Sequence, residues 1–287
     1  MLNAGDYGLA VQERAELIML SDIAGYVGAD TCGCLLAIRQ DQQEEISLMI
    51  DIGTNGEMVL GNRERMVTCS TAAGPAFEGA KIECGMRGAA GAVDHVKYED
   101  GKWNYTTVGN KPAVGLCGSG LIDLVAGLLD AGMLDENGVL RSGQEKQGVF
   151  ILVPPERGGN ERGVYLTQKD LGEVQLAKAA IAAGIQMLME RLGITEDDIC
   201  SVYIAGAFGN YMDPVSAGKI GLLPATLVKK VMPVGNAAGE GAKIALVNEK
   251  EMLEMDELVR KIEFVELAAS ADFQDHFIDE LGFETGE

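Results

Sequence analysis

Three glycine-rich turns, each set against an apolar run, constrain what this chain can fold into more than any other feature. Residues 47–51 (SLMID) and 57–60 (EMVL) are β-prone runs joined by Gly53-Thr54-Asn55-Gly56, and residues 65–70 (RMVTCS) follow them. Asn-Gly between such runs is a strong hairpin signal, so an antiparallel meander is expected there. Gly115-Leu116-Cys117-Gly118-Ser119-Gly120 opens an apolar segment that predicts a helix over 118–131. Ala205-Gly206-Ala207-Phe208-Gly209-Asn210 closes a buried-strand pattern over 201–205 (SVYIA). This third turn is joined by Gly235-Asn236-Ala237-Ala238-Gly239-Glu240-Gly241, which opens a helix over 237–247 after a strand over 231–234. Glycine makes up 38 of the 287 residues, against a usual share of about 7%. Without a side chain it permits tight turns and close approach of the backbone to a ligand.

The remaining sequence predicts the elements that hold these turns. Ala15, Leu17, Ile18, Leu20, Ile23 and Ala24 give an apolar face to a helix over 13–28. Residues 91–108, with Trp103 and Tyr105 around Asp100-Gly101, read as another hairpin. Thr167 with Asp170 three residues on resembles a capping box. It opens a long helix to Leu192, whose apolar stripe is Leu171, Val174, Ile181, Ile185, Leu188 and Leu192. Residues 158–163 (GGNERG) are expected to form an exposed, mobile loop.

Composition excludes several classes. The formal charge is −21, from 23 basic and 44 acidic residues, so no nucleic-acid partner is expected. Residues 249–287 hold 13 acidic and 3 basic side chains, read as a solvated helical surface or a docking face for a basic partner. No apolar stretch is long enough to cross a bilayer, so no membrane partner is expected. The start lacks a signal-peptide pattern and the six Cys read as reduced thiols, which points to a cytoplasmic protein. Cys32-Gly33-Cys34 is the closest cysteine pair, a poor spacing for zinc or an iron–sulfur cluster. His95 and His276 lie apart and suggest surface or satisfied core roles.

Each glycine turn carries two readings. Asp51-Ile52-Gly53-Thr54-Asn55-Gly56-Glu57 is either a plain hairpin or a phosphate cradle whose carboxylate holds a hydrated Mg²⁺. The entry at Gly118 is either a packing device or a helix N-terminus facing an anion. The turns at Gly206 and Gly235 offer flat backbone to an adenine ring and ribose. The P-loop pattern GxxxxGK[ST] is absent.

The order of these turns resembles the actin-like ATPase superfamily, which includes sugar kinases, acetate kinases, the heat-shock chaperone ATPase and actin. Closer wording, in IAGYVGADT, IDIGTNGEMVLG, CSTAAGPAFEGAKIECGMRG, GLCGSGLIDLVAGLLDAG and YIAGAFGNYMDP, resembles the C-terminal ATPase domain of the reductive activators of corrinoid proteins across residues 20–247. The resemblance implies an α/β fold: a ribonuclease H-like lobe with a mixed sheet flanked by helices, over 47–248. A helical lead-in, a remnant of a first lobe, is expected over 1–46, and an acidic segment packed on the lobe over 249–287. It also implies ATP or ADP with Mg²⁺ as cofactors, and an ATPase that returns cob(II)alamin to cob(I)alamin in a corrinoid protein or corrinoid-dependent methyltransferase. By carry-over Asp51 positions Mg²⁺ and water; Gly53, Thr54, Asn55, Gly56 and Glu57 form the phosphate turn; Gly118, Ser119 and Gly120 the helix entry; Gly206, Ala207 and Gly209, with Asn236, the adenosine side. Family members carry a ferredoxin-like iron–sulfur domain and tend to dimerise. This chain lacks the cluster spacing and shows one DIG-type motif where the family has an earlier one as well. The resemblance implies a homodimer, and the two absences imply that the chain is completed by a ferredoxin-domain chain or by an N-terminal half that would supply the acid beside the γ-phosphate. Two alternatives remain: a non-catalytic interaction module of the same fold, and another actin-like phosphotransferase such as a sugar kinase or exopolyphosphatase.

Overall fold

The central strands are apolar on both faces because helices cover both. The computed structural model describes residues 2–12, 14–141 and 148–283. Along the chain run β1 (Leu2–Asn3), β2 (Glu16–Leu17), α1 (Ala29–Ile38), β3 (Ile46–Ile52), β4 (Gly56–Gly61), β5 (Met66–Thr71), α2 (Gly74–Phe77), β6 (Ala92–Glu99), β7 (Lys102–Thr107), β8 (Gly115–Leu116) and α3 (Gly118–Asp130). Then follow β9 (Val149–Val153), β10 (Val164–Thr167), α4 (Gln168–Leu192), β11 (Ile199–Ala205), α5 (Gly206–Gly209), α6 (Pro214–Lys219), β12 (Val231–Gly235), α7 (Ala237–Val247), α8 (Glu249–Val259), β13 (Ile262–Phe264) and α9 (Ala271–Asp279).

The main sheet has the order β12-β11-β3-β4-β5-β13. The expected meander β3-β4-β5 lies at its centre, and every strand but β4 runs parallel to β3. This is the mixed, helix-flanked sheet of the expected fold class. Side chains alternate along each strand. Leu48, Ile50, Ile52, Met58 and Leu60 enter the larger core with Val174, Ile181, Ile185 and Leu188 of α4. Met49, Val59 and Ala205 face the other way, onto Cys34 and Leu35 of α1 and Ala237 of α7. There α1 and α7 touch backbone to backbone: a Cβ on Gly33 would stand 2.7 Å from the Ala238 carbonyl.

The capping box at α4 is present. Asp170 N–H donates to Thr167 Oγ1 at 3.1 Å, while Thr167 N–H donates to Asp170 Oδ2 at 2.9 Å. Gly193, in the left-handed region, ends the helix. A second, three-stranded sheet, β7-β6-β8, carries α3 on β6. Trp103 locks it to the β9-β10 hairpin, its ring 4.9 Å from those of Tyr98 and Phe150. The acidic C-terminal segment packs on both sides. Met255 of α8 joins Cys32 and Leu36 of α1 in a small core. The α9 helix lies on α4, where buried Lys178 approaches Glu280 at 3.8 Å and the Phe283 ring at 5.7 Å. Residues 284–287 of that segment are outside the described residues.

Two expectations are corrected. The helix over 13–28 does not form: Glu16–Leu17 is a short strand, and Ala24 and Val27 bridge around Gly25-Tyr26. The helical period was read across Gly25, a poor interior residue. The helix begins instead beyond Gly28, with Asp30 in its first turn. The loop over 158–163 is only partly exposed, with Gly163 buried and Asn160 half-buried, and it is held. Asn160 Nδ2 donates to the Val114 carbonyl at 2.7 Å, and its Oδ1 accepts from the amides of Arg162 and Gly163.

Candidate functional site

Asp51 stands near the carboxyl end of β3, opposite Glu57 of β4 and Ala205 of β11. In open α/β sheets this end of parallel strands is where ligands bind. Just beyond Ala205 the chain turns at Gly206, φ 86°, where a Cβ would come to 3.0 Å from Asp51 Oδ1. Only a residue without a side chain leaves that carboxylate open at this point.

The opposite wall is built by α3 and β6. The amides of the first turn of α3, at Gly118, Ser119 and Gly120, have no partners within the helix. Ser119 Oγ donates to the Asp94 carbonyl at 2.8 Å, and Thr106 Oγ1 to Asp94 Oδ1 at 2.6 Å. Between the walls lies a cleft of about 620 Å³, within the range of small-molecule sites. It is lined by Asp51, Gly53, Gly118, Ser119 and Gly206, and also by Phe77, Glu78, Met86, Arg87, Asp94 and Tyr211.

The other expected site residues divide by position. Thr54 and Asn55 are exposed on the turn; Thr54 Oγ1 donates to Glu78 at 3.2 Å, and the Asn55 carbonyl accepts from Gly53 N–H at 2.9 Å. Gly56 is inside the ladder, where a Cβ would press on Thr71 and Ile181. Gly120 and Gly209 lie against the backbone of Val93 and Ile204, so each serves close packing. Ala207 belongs to α5; its side chain lies outside the described residues. Asn236 is exposed and caps α7, its Oδ1 accepting from Gly239 N–H at 3.0 Å. It is not among the residues that line the cleft.

Electrostatically the Asp51 side of the cleft favours a cation. Burial pushes the Asp51 carboxyl above its ordinary value, the Cys34 thiol, which donates to Oδ2 at 3.7 Å, pulls it back, and the charge of Asp30 raises it again. Burial also raises Glu57, followed by the charge of Asp30, while Ser70 Oγ donates to it at 3.2 Å. Carboxylates desolvated beside like charge gain most from a nearby cation. Among the described residues no group of three His, Cys, Asp or Glu side chains converges to hold an ion alone. One carboxylate with phosphates and water completing the shell is the habit of Mg²⁺, so these residues fit it.

Sequence reasoning passed over Asp30, Cys34, Glu78, Arg87, Asp94 and Tyr211. Asp30 and Arg87 sit inside the quoted segments IAGYVGADT and CSTAAGPAFEGAKIECGMRG, but only the fold shows that they converge on the glycine turns.

A mixed sheet flanked by helices, a carboxylate at the end of its first strand and a glycine-rich helix entry across a cleft are the features of an actin-like, ASKHA-type domain. The chain belongs to the family described as the C-terminal domain of RACo, the ASKHA domain, whose model matches residues 45–287. It is 36% identical over 292 residues to the corrinoid activation enzyme RamQ of Eubacterium limosum, covering 96% of this chain and 49% of that protein. It is 29% identical to the [Co(II) methylated amine-specific corrinoid protein] reductase of Methanosarcina barkeri, covering 97% of this chain and 54% of that one. A solved reductive activator for corrinoid, iron–sulfur protein superposes with a TM-score of 0.90 at 38% identity, over 98% of this chain and 46% of its own. The chain therefore spans about half the length of these relatives.

Proposed function

We propose that this chain is the nucleotide-binding lobe of an ATP-dependent activator of corrinoid proteins, supporting return of Co(II) to Co(I) for methyl transfer. The observation that carries the reading is the convergence of Asp51, Gly53, Gly118, Ser119 and Gly206, remote in sequence, on one cleft. The relatives named for corrinoid activation supply the class of partner. Asp51 would hold Mg²⁺ through water, and the ion would neutralise phosphate charge. The amides at Gly118 and Ser119 face the phosphates, where a helix N-terminus favours negative charge. The bare backbone at Gly206 admits the nucleoside beside Asp51.

Closing on ATP would change the surface the lobe offers to its corrinoid partner, and so couple nucleotide binding to the reduction. Electrons would arrive from a ferredoxin-type domain, on a longer chain or on another polypeptide. Hydrolysis, dimerisation and a cytoplasmic setting belong to the same proposal. Titration of Mg-ADP into the protein and its Asp51→Ala variant tests it: binding weakened in the variant is expected, and unchanged affinity refutes the role given to Asp51. Capture of a corrinoid protein that depends on nucleotide separates this reading from a passive interaction module.

A further inference from the structure

The charges of the cleft pose a problem that the expected site residues do not solve. Asp51, Glu78 and Asp94 line it with three carboxylates. A polyphosphate entering between carboxylates on both walls meets repulsion that a cation at Asp51 relieves on one side alone. Across the cleft, Arg87 is the one cationic side chain among the described lining residues.

Its place is fixed by the fold. Met86 N–H donates to the Leu116 carbonyl at 2.8 Å, and Leu116 N–H to the Cys84 carbonyl at 2.8 Å. Residues 84–86 thus add a strip beside β8, two residues before the entry to α3 at Gly118. Gly79, with φ +80°, lies against the backbone of Gly85 and Met86 and holds that strip from behind. Arg87 is therefore held by anchored backbone beside the wall that also presents Ser119, and it is an exposed residue of the cleft lining.

We propose that Arg87 is the phosphate-contacting cation of this cleft, binding the oxygens of a polyphosphate from the side opposite Asp51. The inference rests on the nucleotide reading and deepens it by dividing the anion between a metal-holding wall and a guanidinium wall. Arginine suits this task because its planar fork meets two phosphate oxygens at once.

Calorimetric titration of magnesium tripolyphosphate, and separately of Mg-ADP, into the intact protein, Arg87→Met, Arg87→Lys and Arg63→Met tests it. Arg87→Met should weaken tripolyphosphate binding about tenfold or more, the effect of losing a charge-assisted hydrogen bond. Arg87→Lys should lose less, because it keeps the charge but not the fork. Arg63→Met, an exposed arginine paired with Glu44 away from the cleft, should bind as wild type. The inference is overturned if wild type does not bind tripolyphosphate, if Arg87→Met binds as tightly as wild type, or if Arg63→Met loses as much. Failure of the nucleotide reading has another signature: Arg87-dependent binding of tripolyphosphate with no binding of ADP.

Discussion

Asp51 is costly to the folded protein without its ligand. Its carboxyl is pushed up by burial, so the folded state resists the charge that the unfolded chain accepts freely. A group raised in this way contributes its full stability below the ordinary carboxylate value and loses it as pH rises through the raised one. Asp51→Asn, uncharged throughout, should therefore melt higher than wild type at pH 7 to 8 when no nucleotide is present. The gap should close as pH falls toward ordinary carboxylate values, as differential scanning calorimetry across pH would show. Mg-nucleotide should raise the melting temperature of wild type and leave the variant unmoved. A variant less stable than wild type at neutral pH would mean that the carboxylate is satisfied within the protein. Glu57, raised first by burial and in part by the charge of Asp51 opposite it, should also gain as Glu57→Gln, and the double variant should gain less than the sum of the two.

At the scale of elements, α4 holds the sheet from one side and its start depends on two side chains. Thr167→Ala should cost about 1 kcal/mol in urea denaturation, the usual value of a lost helix cap. Asp170→Ala should cost more, because the buried carboxylate also accepts from the Glu83 amide at 2.9 Å. Equal losses would show that this long-range contact adds nothing. The capping box was legible because its partners are three residues apart, and the β3-β4 hairpin because its register follows from a short turn. The start of α1 was not: an apolar face over 13–28 is local evidence, and Gly25 outweighed it. The cleft was half legible. The glycine turns announce bare backbone, but the same pattern fits packing, and Gly120 and Gly209 prove to lie against neighbouring backbone. Asp94 and Arg87 carry no local signal. They reach the cleft because β6 and the strip beside β8 flank the entry to α3, a pairing over distances that periodicity does not reach.

Across the whole molecule, helices on both faces of one sheet leave its carboxyl end open, and a second sheet with α3 closes the far side of that opening. The C-terminal segment braces both faces, α8 against α1 and α9 against α4. Lys178→Ala should lower global stability by about 2 kcal/mol or more, since it removes a buried stem and a charge set beside Glu280. Urea denaturation measures it, and a variant as stable as wild type would show that α9 holds without it. The cleft itself should depend on the ion: chelating Mg²⁺ should abolish nucleotide binding without unfolding the protein. The most direct test of the account remains calorimetric titration of Mg-ADP into the folded chain, repeated with Asp51→Ala. The account predicts saturable binding that the variant loses; no binding by the folded wild type, or equal binding by both, would contradict it.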